Sequence, residues 1–264
     1  MGDAWTLVTG ASGGIGVELA RLSAADGRNV ILSARSGAKL EALAEELRAA
    51  HGVSVEAIAA DLSEAGGADA LWSKAVAGRR IDFLINNAGL GRNGRFAGGR
   101  AGDDGWAREA ASIEVNVMAL TRLTKLAVMV MKAAGAGRIL NVASTAAFMP
   151  GPGMAVYHAT KAYVVSLSRA LGAELKGSGV TVSALCPGPT ETGFFDAADM
   201  RGAPILSLMR PQDPQAVARV GYRAALRGKA VAVPGVMNNA SVWGAKLSPA
   251  ALSTFIAGRL MAKG

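Results

Sequence analysis

The sequence predicts an α/β fold: a doubly wound, seven-stranded parallel sheet flanked by helices, in a single domain spanning residues 1–264. Short β-branched and apolar runs alternate with longer segments of helical period, the pattern of βαβ units. Such runs recur near residues 5–9, 29–33, 54–60, 81–86, 138–142, 180–186 and 230–233. At 264 residues and 51 % hydrophobic composition, the chain has the size and apolar content of one large α/β domain.

Composition narrows the function. A single cysteine, Cys186, excludes an internal disulfide and a cysteine-built zinc site, and His51 and His158 are too few for most metal clusters, so no metal is expected. No apolar run reaches the length of a membrane span and the first residues lack the order of a signal peptide, which leads us to expect a soluble, cytoplasmic protein. Gly2 matches an N-myristoylation pattern, but it stands almost against the first strand, which argues against that use.

The first strand runs into Thr9-Gly10-Ala11-Ser12-Gly13-Gly14-Ile15-Gly16, followed by Val17, Leu19, Ala20 and Leu22 at helical spacing. Backbone N–H groups at such a turn, with the positive end of the helix dipole, hold a pyrophosphate, and glycine at 10, 14 and 16 lets the main chain approach closely. The same residues spell the Gly-x-Ser-x-Gly nucleophile elbow of hydrolases, but that device needs several strands ahead of it and only nine residues precede Gly10. After the second strand, where a ribose-binding carboxylate is common, the chain has Ala34-Arg35 with Lys39 one turn on. No carboxylate there repels a 2′-phosphate and a guanidinium pairs with one bidentately, so NADP(H) is preferred over NAD. Asp61 and Leu62, just after the third strand, are placed to meet the adenine.

The fourth strand ends in Asn86-Asn87-Ala88-Gly89, with Asn86, Ala88 and Gly89 expected under a bound adenosine. Residues 91–105 read as a flexible loop. A long helix is expected over 110–133, with Ile113, Val117, Leu120, Leu123, Ala127 and Val130 on its apolar face. Asn116 interrupts that face, and a buried amide must be hydrogen-bonded to local backbone or kept for a polar task. The fifth strand delivers Ser144 at its C-terminal end, where ligands bind in open α/β sheets. Tyr157 and Lys161 share one helical face if the chain is helical from about Met154. An ammonium beside a phenol lowers the phenol's pKa.

Taken in order, Thr-Gly-x-x-x-Gly-x-Gly at 9–16, Asn-Asn-Ala-Gly at 86–89, Asn116, Ser144, Tyr157-x-x-x-Lys161 and Pro187-Gly188 with Thr192 resemble the short-chain dehydrogenase/reductase family, in its NADP-preferring subgroup. The resemblance covers residues 5–235 and implies a Rossmann-like fold and an NADPH-dependent carbonyl reductase, reversible as an alcohol dehydrogenase. It implies that Ser144 hydrogen-bonds the substrate carbonyl and that Tyr157 donates the proton. Lys161 is implied to bind the nicotinamide ribose and lower the tyrosine pKa, and Asn116 to hold a water linking Lys161 to solvent. Gly10, Ser12, Gly14, Ile15 and Gly16 are implied around the pyrophosphate, with Pro187, Gly188 and Thr192 closing over the nicotinamide end. The position where some NADP-using members carry a basic residue is Gly13, which leaves Arg35 as the main phosphate partner. A non-catalytic NADP-binding module is the competing reading, but it has no need of Ser144, Tyr157 and Lys161 together.

Residues 190–210, with Phe194, Phe195, Met200, Leu206, Leu208 and Met209, read as a substrate lid over an apolar pocket that also holds Met149 and Met154. A small hydrophobic carbonyl or alcohol substrate is therefore expected. The C-terminal extension, 236–264, argues against tetramer-type assembly, and the resemblance implies a homodimer through the two long helices. Residues 201–264 carry nine basic residues against Asp213 alone, out of a net charge of +8. No nucleic-acid motif accompanies them, so no nucleic acid is expected. Leu252, Phe255, Ile256 and Leu260 share one face of the last helix, with Arg259 and Lys263 elsewhere. That face is expected to pack on the domain or a partner subunit in preference to a membrane surface.

Overall fold

The computed structural model describes residues 4–97 and 105–261. Gly2 and Lys263, and the centre of the glycine- and arginine-rich loop, lie outside the described residues. The described residues form a parallel sheet in the order β3-β2-β1-β4-β5-β6-β7. Its strands are β1 Ala4–Thr9, β2 Asn29–Ala34, β3 Val55–Ala59, β4 Arg80–Asn86, β5 Gly137–Val142, β6 Val180–Leu185 and β7 Val231–Ala232. All seven sit where the sequence indicated, with β7 shorter than expected.

Both faces of a parallel sheet are covered by crossover helices, which is why its strands read as continuous apolar runs. Successive side chains point to opposite faces. Val8, Leu32 and Ile85 pack in one layer with Leu19 of α1 (Gly14–Ala25), Leu40 of α2 (Gly37–His51) and neighbouring helices. Leu7, Ile31 and Leu84 pack in the other with Leu71 of α3 (Gly67–Ala75) and more distant helices. The order reverses between β1 and β4, so the loops after those strands part and leave a crevice at their C-terminal ends.

The long helix differs from expectation. It begins as α4 (Trp106–Ile113), widens into a π-helical segment at Glu114–Ala119 and continues as α5 (Leu120–Ala133). The wider turns rotate the N-terminal half, so Val115 and Ala119 are buried while Ile113 faces out. Val130 is also exposed, and Met131 takes its place in the core.

Beyond β5 come a single 3₁₀ turn at Thr145–Phe148 and α6 (Ala155–Glu174), which places Tyr157 and Lys161 on one helix. Two short helices, α7 (Phe194–Ala197) and α8 (Pro204–Leu208), follow β6. Then α9 (Pro214–Leu226) starts with Pro214 in its first turn and Asp213 accepting from the N–H groups of Gln215 and Ala216 at 3.2 and 3.1 Å. The chain closes with α10 (Val236–Leu247) and α11 (Ala250–Met261). In α11 Ser253, Ala257 and Met261 are buried and Leu260 is half-buried, whereas Leu252, Phe255 and Ile256 of the expected face are exposed on the chain. Among the described residues no helix is long and apolar enough to cross a membrane.

Candidate active site

A cavity of about 770 Å³ runs from the glycine-rich turn to the end of α11. One end is bordered by Gly10, Ser12, Gly14 and Ile15, with Arg35, Lys39, Asp61 and Leu62 beside them. The other end holds Ser144, Tyr157, Lys161, Pro187 and Gly188, with Ala88, Gly89 and Thr192 between.

The turn after β1 is built for close approach. Gly10 and Gly14 have φ of +66° and +54°, a region that side chains disfavour, and a Cβ at Gly10 would stand 2.8 Å from the Ala88 Cα. At Gly14 it would meet the Thr192 methyl at 2.6 Å, so the turn and the loop after β6 touch across the crevice. Gly16 does not line the cavity; it lets α1 pack under the turn, where a Cβ would meet the Asn87 amide at 2.5 Å. The N-terminus of α1 carries no acidic residue in its first turn. An uncovered glycine cradle at a helix N-terminus fits a pyrophosphate. Arg35 is exposed and makes no ion pair among the described residues. Its charge helps hold the Asp61 carboxyl below the usual range, a shift caused first by hydrogen bonds from the Ser63 hydroxyl and N–H at 2.6 and 2.8 Å. The donor set fits a dinucleotide with an additional phosphate near Arg35.

Asn86, expected at the cofactor, lies instead within the sheet core. Its Nδ2 donates to Thr124 Oγ1 at 3.0 Å and to Asn141 Oδ1 at 2.9 Å, while Asn141 donates to Ser168 at 3.0 Å. The last residue of β4 points inward, and the cavity begins one residue later. Asn87, which the sequence reading passed over, donates to the carbonyls of Thr9 and Gly10 at 3.0 and 3.1 Å and so braces the turn.

Ser144 caps the 3₁₀ turn: its Oγ accepts from the Ala146 N–H at 3.1 Å and donates to the Pro187 carbonyl at 3.4 Å. The Tyr157 ring packs against Phe194 at 5.3 Å between centroids. Burial pushes its pKa up to about 12, and a hydrogen bond with Ser144 pulls the other way. Lys161 is only 4 % exposed, donates from Nζ to the Val142 carbonyl at 2.9 Å and stands 5.7 Å from the Tyr157 ring centroid. Burial lowers its pKa to about 8. Desolvation, not the neighbouring ammonium, therefore dominates the phenol in the chain alone.

Asn116 is fully buried and does not line the cavity. Its Oδ1 accepts from the Leu90 N–H at 2.9 Å, and its Nδ2 donates to the Leu90 carbonyl at 2.8 Å and Thr160 Oγ1 at 3.0 Å. Both amide hydrogens are engaged, while Oδ1 accepts a single hydrogen bond and keeps a lone pair open to a water. Leu90 and α6 are tied together through it.

The substrate end is apolar. Met149, Met154, Phe194, Phe195, Met200 and Ile205 line it. His158 is buried there with Nδ1 2.8 Å from the Met149 carbonyl, which assigns the ring proton to Nδ1, and burial lowers its pKa. Ala257, Leu260 and Met261 of α11 complete the wall. The periodicity of α11 showed a stripe but not which side is covered, so its part in the cavity was missed.

Known proteins resemble this chain in sequence and fold. Nodulation protein G of Rhizobium sp. (strain N33) is 38 % identical over 191 residues, covering 72 % of this chain and 74 % of that protein. A short-chain dehydrogenase from Sphingobium yanoikuyae, solved in complex with NADPH, superposes with a TM-score of 0.81 at 34 % identity, covering 92 % of this chain and 91 % of that one. A 7beta-hydroxysteroid dehydrogenase superposes with a TM-score of 0.85 at 26 % identity over 96 % of both chains. The family model described as short chain dehydrogenase matches residues 4–201, from the first strand through the loop after β6. On that extent of match the chain belongs to the short-chain dehydrogenase family and is an oxidoreductase of it.

Proposed function

We propose that this protein is an NADPH-dependent reductase of hydrophobic ketones or aldehydes, reversible as an alcohol dehydrogenase. The observation that carries the reading is a single cavity with Arg35 and the glycine turn at one end and Ser144, Tyr157 and Lys161 at the other. When bound, the nicotinamide supplies a hydride to the carbonyl carbon, or takes one up from the alcohol. Ser144 hydrogen-bonds the carbonyl oxygen and draws it toward Tyr157. Tyr157, protonated at neutral pH, gives its proton to that oxygen as negative charge develops there. Lys161 holds the ribose hydroxyls and steadies the resulting phenolate. Asn116 is a positioning residue that fixes Leu90 and the start of α6. Gly10, Ser12, Gly14, Ile15, Ala88, Gly89, Asp61 and Leu62 seat the adenosine and pyrophosphate, and Pro187, Gly188 and Thr192 the nicotinamide end.

Residues 190–210 serve as the lid. The methionine- and phenylalanine-lined wall favours a bulky apolar substrate, and the likeness to a hydroxysteroid dehydrogenase agrees with that size class. The reading is tested by following NADPH absorbance across carbonyl compounds of increasing apolar bulk. Turnover with at least one bulky ketone is expected, and none across the whole panel overturns it. The subunits pair through the π-helical segment, α5 and α6, where Met118, Met129 and Tyr163 are exposed on the described surface.

A further inference from the structure

The last two helices turn their large apolar side chains outward. In α10 the exposed residues Val236, Met237, Trp243 and Leu247 recur at helical spacing, and in α11 Leu252, Phe255 and Ile256 do the same. Trp243 is 59 % exposed, Phe255 61 % and Leu247 80 %. Their buried residues are Asn238 and Val242 in α10, and Ser253, Ala257 and Met261 in α11, so most of their large apolar side chains face outward. A helix that sets most of its large apolar residues outward has its apolar partner outside the fold.

The charges beside this face say what that partner is. Residues 236–261 contain Lys246 and Arg259 and no acidic residue. Lys246 Nζ lies 4.9 Å from the ring centroids of both Phe148 and Trp243, and the Arg259 guanidinium 5.2 Å from Phe255. Basic heads on aromatic rings at the rim of an apolar face are the composition of helices that lie in a lipid headgroup layer. Two copies meeting here would bring together two faces that each carry Lys246 and Arg259 and no acidic residue, which opposes self-association.

We propose that α10 and α11 form an interfacial docking surface for anionic lipid. The inner side of α11 supplies Ala257, Leu260 and Met261 to the cavity, so one helix separates that cavity from the docking face. If the chain reduces apolar carbonyl compounds, as proposed above, such a substrate passes from the bilayer along α11 without crossing water. The docking itself is independent of that activity and is tested without it.

The full-length protein is sedimented with phosphatidylcholine vesicles and with vesicles carrying roughly a third phosphatidylglycerol, at low and high salt. Partitioning onto the anionic vesicles at low salt is expected to exceed that onto pure phosphatidylcholine by about tenfold, and to fall with salt. Trp243→Ser with Phe255→Ser is expected to weaken it about tenfold or more, and Lys246→Gln with Arg259→Gln to remove the preference for anionic lipid. Circular dichroism and NADPH binding, unchanged in these variants, separate a lost surface from a lost fold. Failure to pellet with anionic vesicles at low salt overturns the proposal, as does undiminished binding by the Trp243/Phe255 variant. A wild-type dimer that this variant splits in analytical ultracentrifugation also overturns it, because a second copy then covers the face.

Discussion

The Lys161 ammonium stands 5.7 Å from the centre of the Tyr157 ring while donating to the Val142 carbonyl at 2.9 Å. That tether fixes the lysine at the end of β5, beside Ser144, and keeps it from drifting along the cavity. In the proposed mechanism Tyr157 carries the proton beside this fixed ammonium. Tyr157→Phe is expected to lower reductive kcat by about 10²–10⁴ with NADPH affinity within a few-fold of wild type, and Ser144→Ala to follow the same pattern. Because burial keeps the phenol protonated, reduction should be nearly flat around neutral pH. Alcohol oxidation, which needs the phenolate, should climb with pH by up to about tenfold per unit. Stopped-flow rates in both directions check this, and a Tyr157→Phe enzyme with wild-type turnover removes the tyrosine from the mechanism.

Lys161 also costs stability. Its folded pKa is lowered to about 8 by burial from an ordinary value of 10.5, so folding favours the neutral amine. Below about pH 8 the full penalty applies, and from there to 10.5 the unfolded chain holds the extra proton, so stability rises with pH. Lys161→Met is expected to be more stable than wild type near neutral pH, by roughly 2 kcal/mol after about 1 kcal/mol is lost at the unpaired Val142 carbonyl. The advantage should shrink as pH approaches 10.5. Urea titrations of both proteins at several pH values check it; a constant difference means Lys161 is not desolvated in solution.

These groups were legible in the sequence because the chemistry needs particular side chains at fixed spacing, and Tyr157 and Lys161 need only one helix to meet. The strands were legible because Leu7-Val8, Ile31-Leu32 and Leu84-Ile85 supply both layers of core at once. What was not legible depends on which way a single residue turns. Asn86 and Asn87 are chemically identical neighbours, and only the end of β4 decides that one ties the sheet and the other braces Gly10. The π-helical segment at Glu114–Ala119 coincides with the Asn116 contacts to Leu90 and Thr160, which no local pattern encodes. The stripe on α11 was visible, but periodicity carries no sign for inside and outside.

Arg35 lines the cavity with Lys39 one turn along α2. Arg35→Ala should weaken NADPH about 10–100-fold and leave NADH within about twofold, because a charge-assisted bidentate pair to the 2′-phosphate is lost and nothing on NADH replaces it. The residual preference should disappear when Lys39→Ala is added. Fluorescence titration with both cofactors measures this, and equal weakening of the two refutes the phosphate assignment.

Met118 and Met129 are 56 % and 62 % exposed on the helix that also buries Leu123 and Ala127. Thr121 and Tyr163 are joined by a 2.9 Å hydrogen bond, so α5 and α6 present one surface. Met129→Glu introduces a charge that a paired interface has to desolvate, and is expected to convert a dimer to a monomer in light scattering while NADPH binding survives. A wild-type monomer, or a dimer indifferent to Met129→Glu, refutes pairing through these helices.

Glycines 13 and 16 lie in the same turn and are expected to respond in opposite ways to one methyl group. Gly13 has φ of 179°, ordinary extended backbone, and a Cβ there meets nothing within 4 Å. Gly16 is buried against the Gly10 carbonyl and the Asn87 amide, the group that braces the turn. Gly13→Ala should therefore keep NADPH affinity and thermal midpoint close to wild type. Gly16→Ala forces α1 away from Asn87 and opens the cradle, an overpacking of the kind that costs about 1–3 kcal/mol, with a parallel loss of about tenfold or more in NADPH affinity. Asn87→Ala removes the brace without overpacking and should lose cofactor affinity with less loss of stability. If Gly16→Ala binds NADPH as tightly as Gly13→Ala, the close approach of α1 to the turn does not shape the cofactor site.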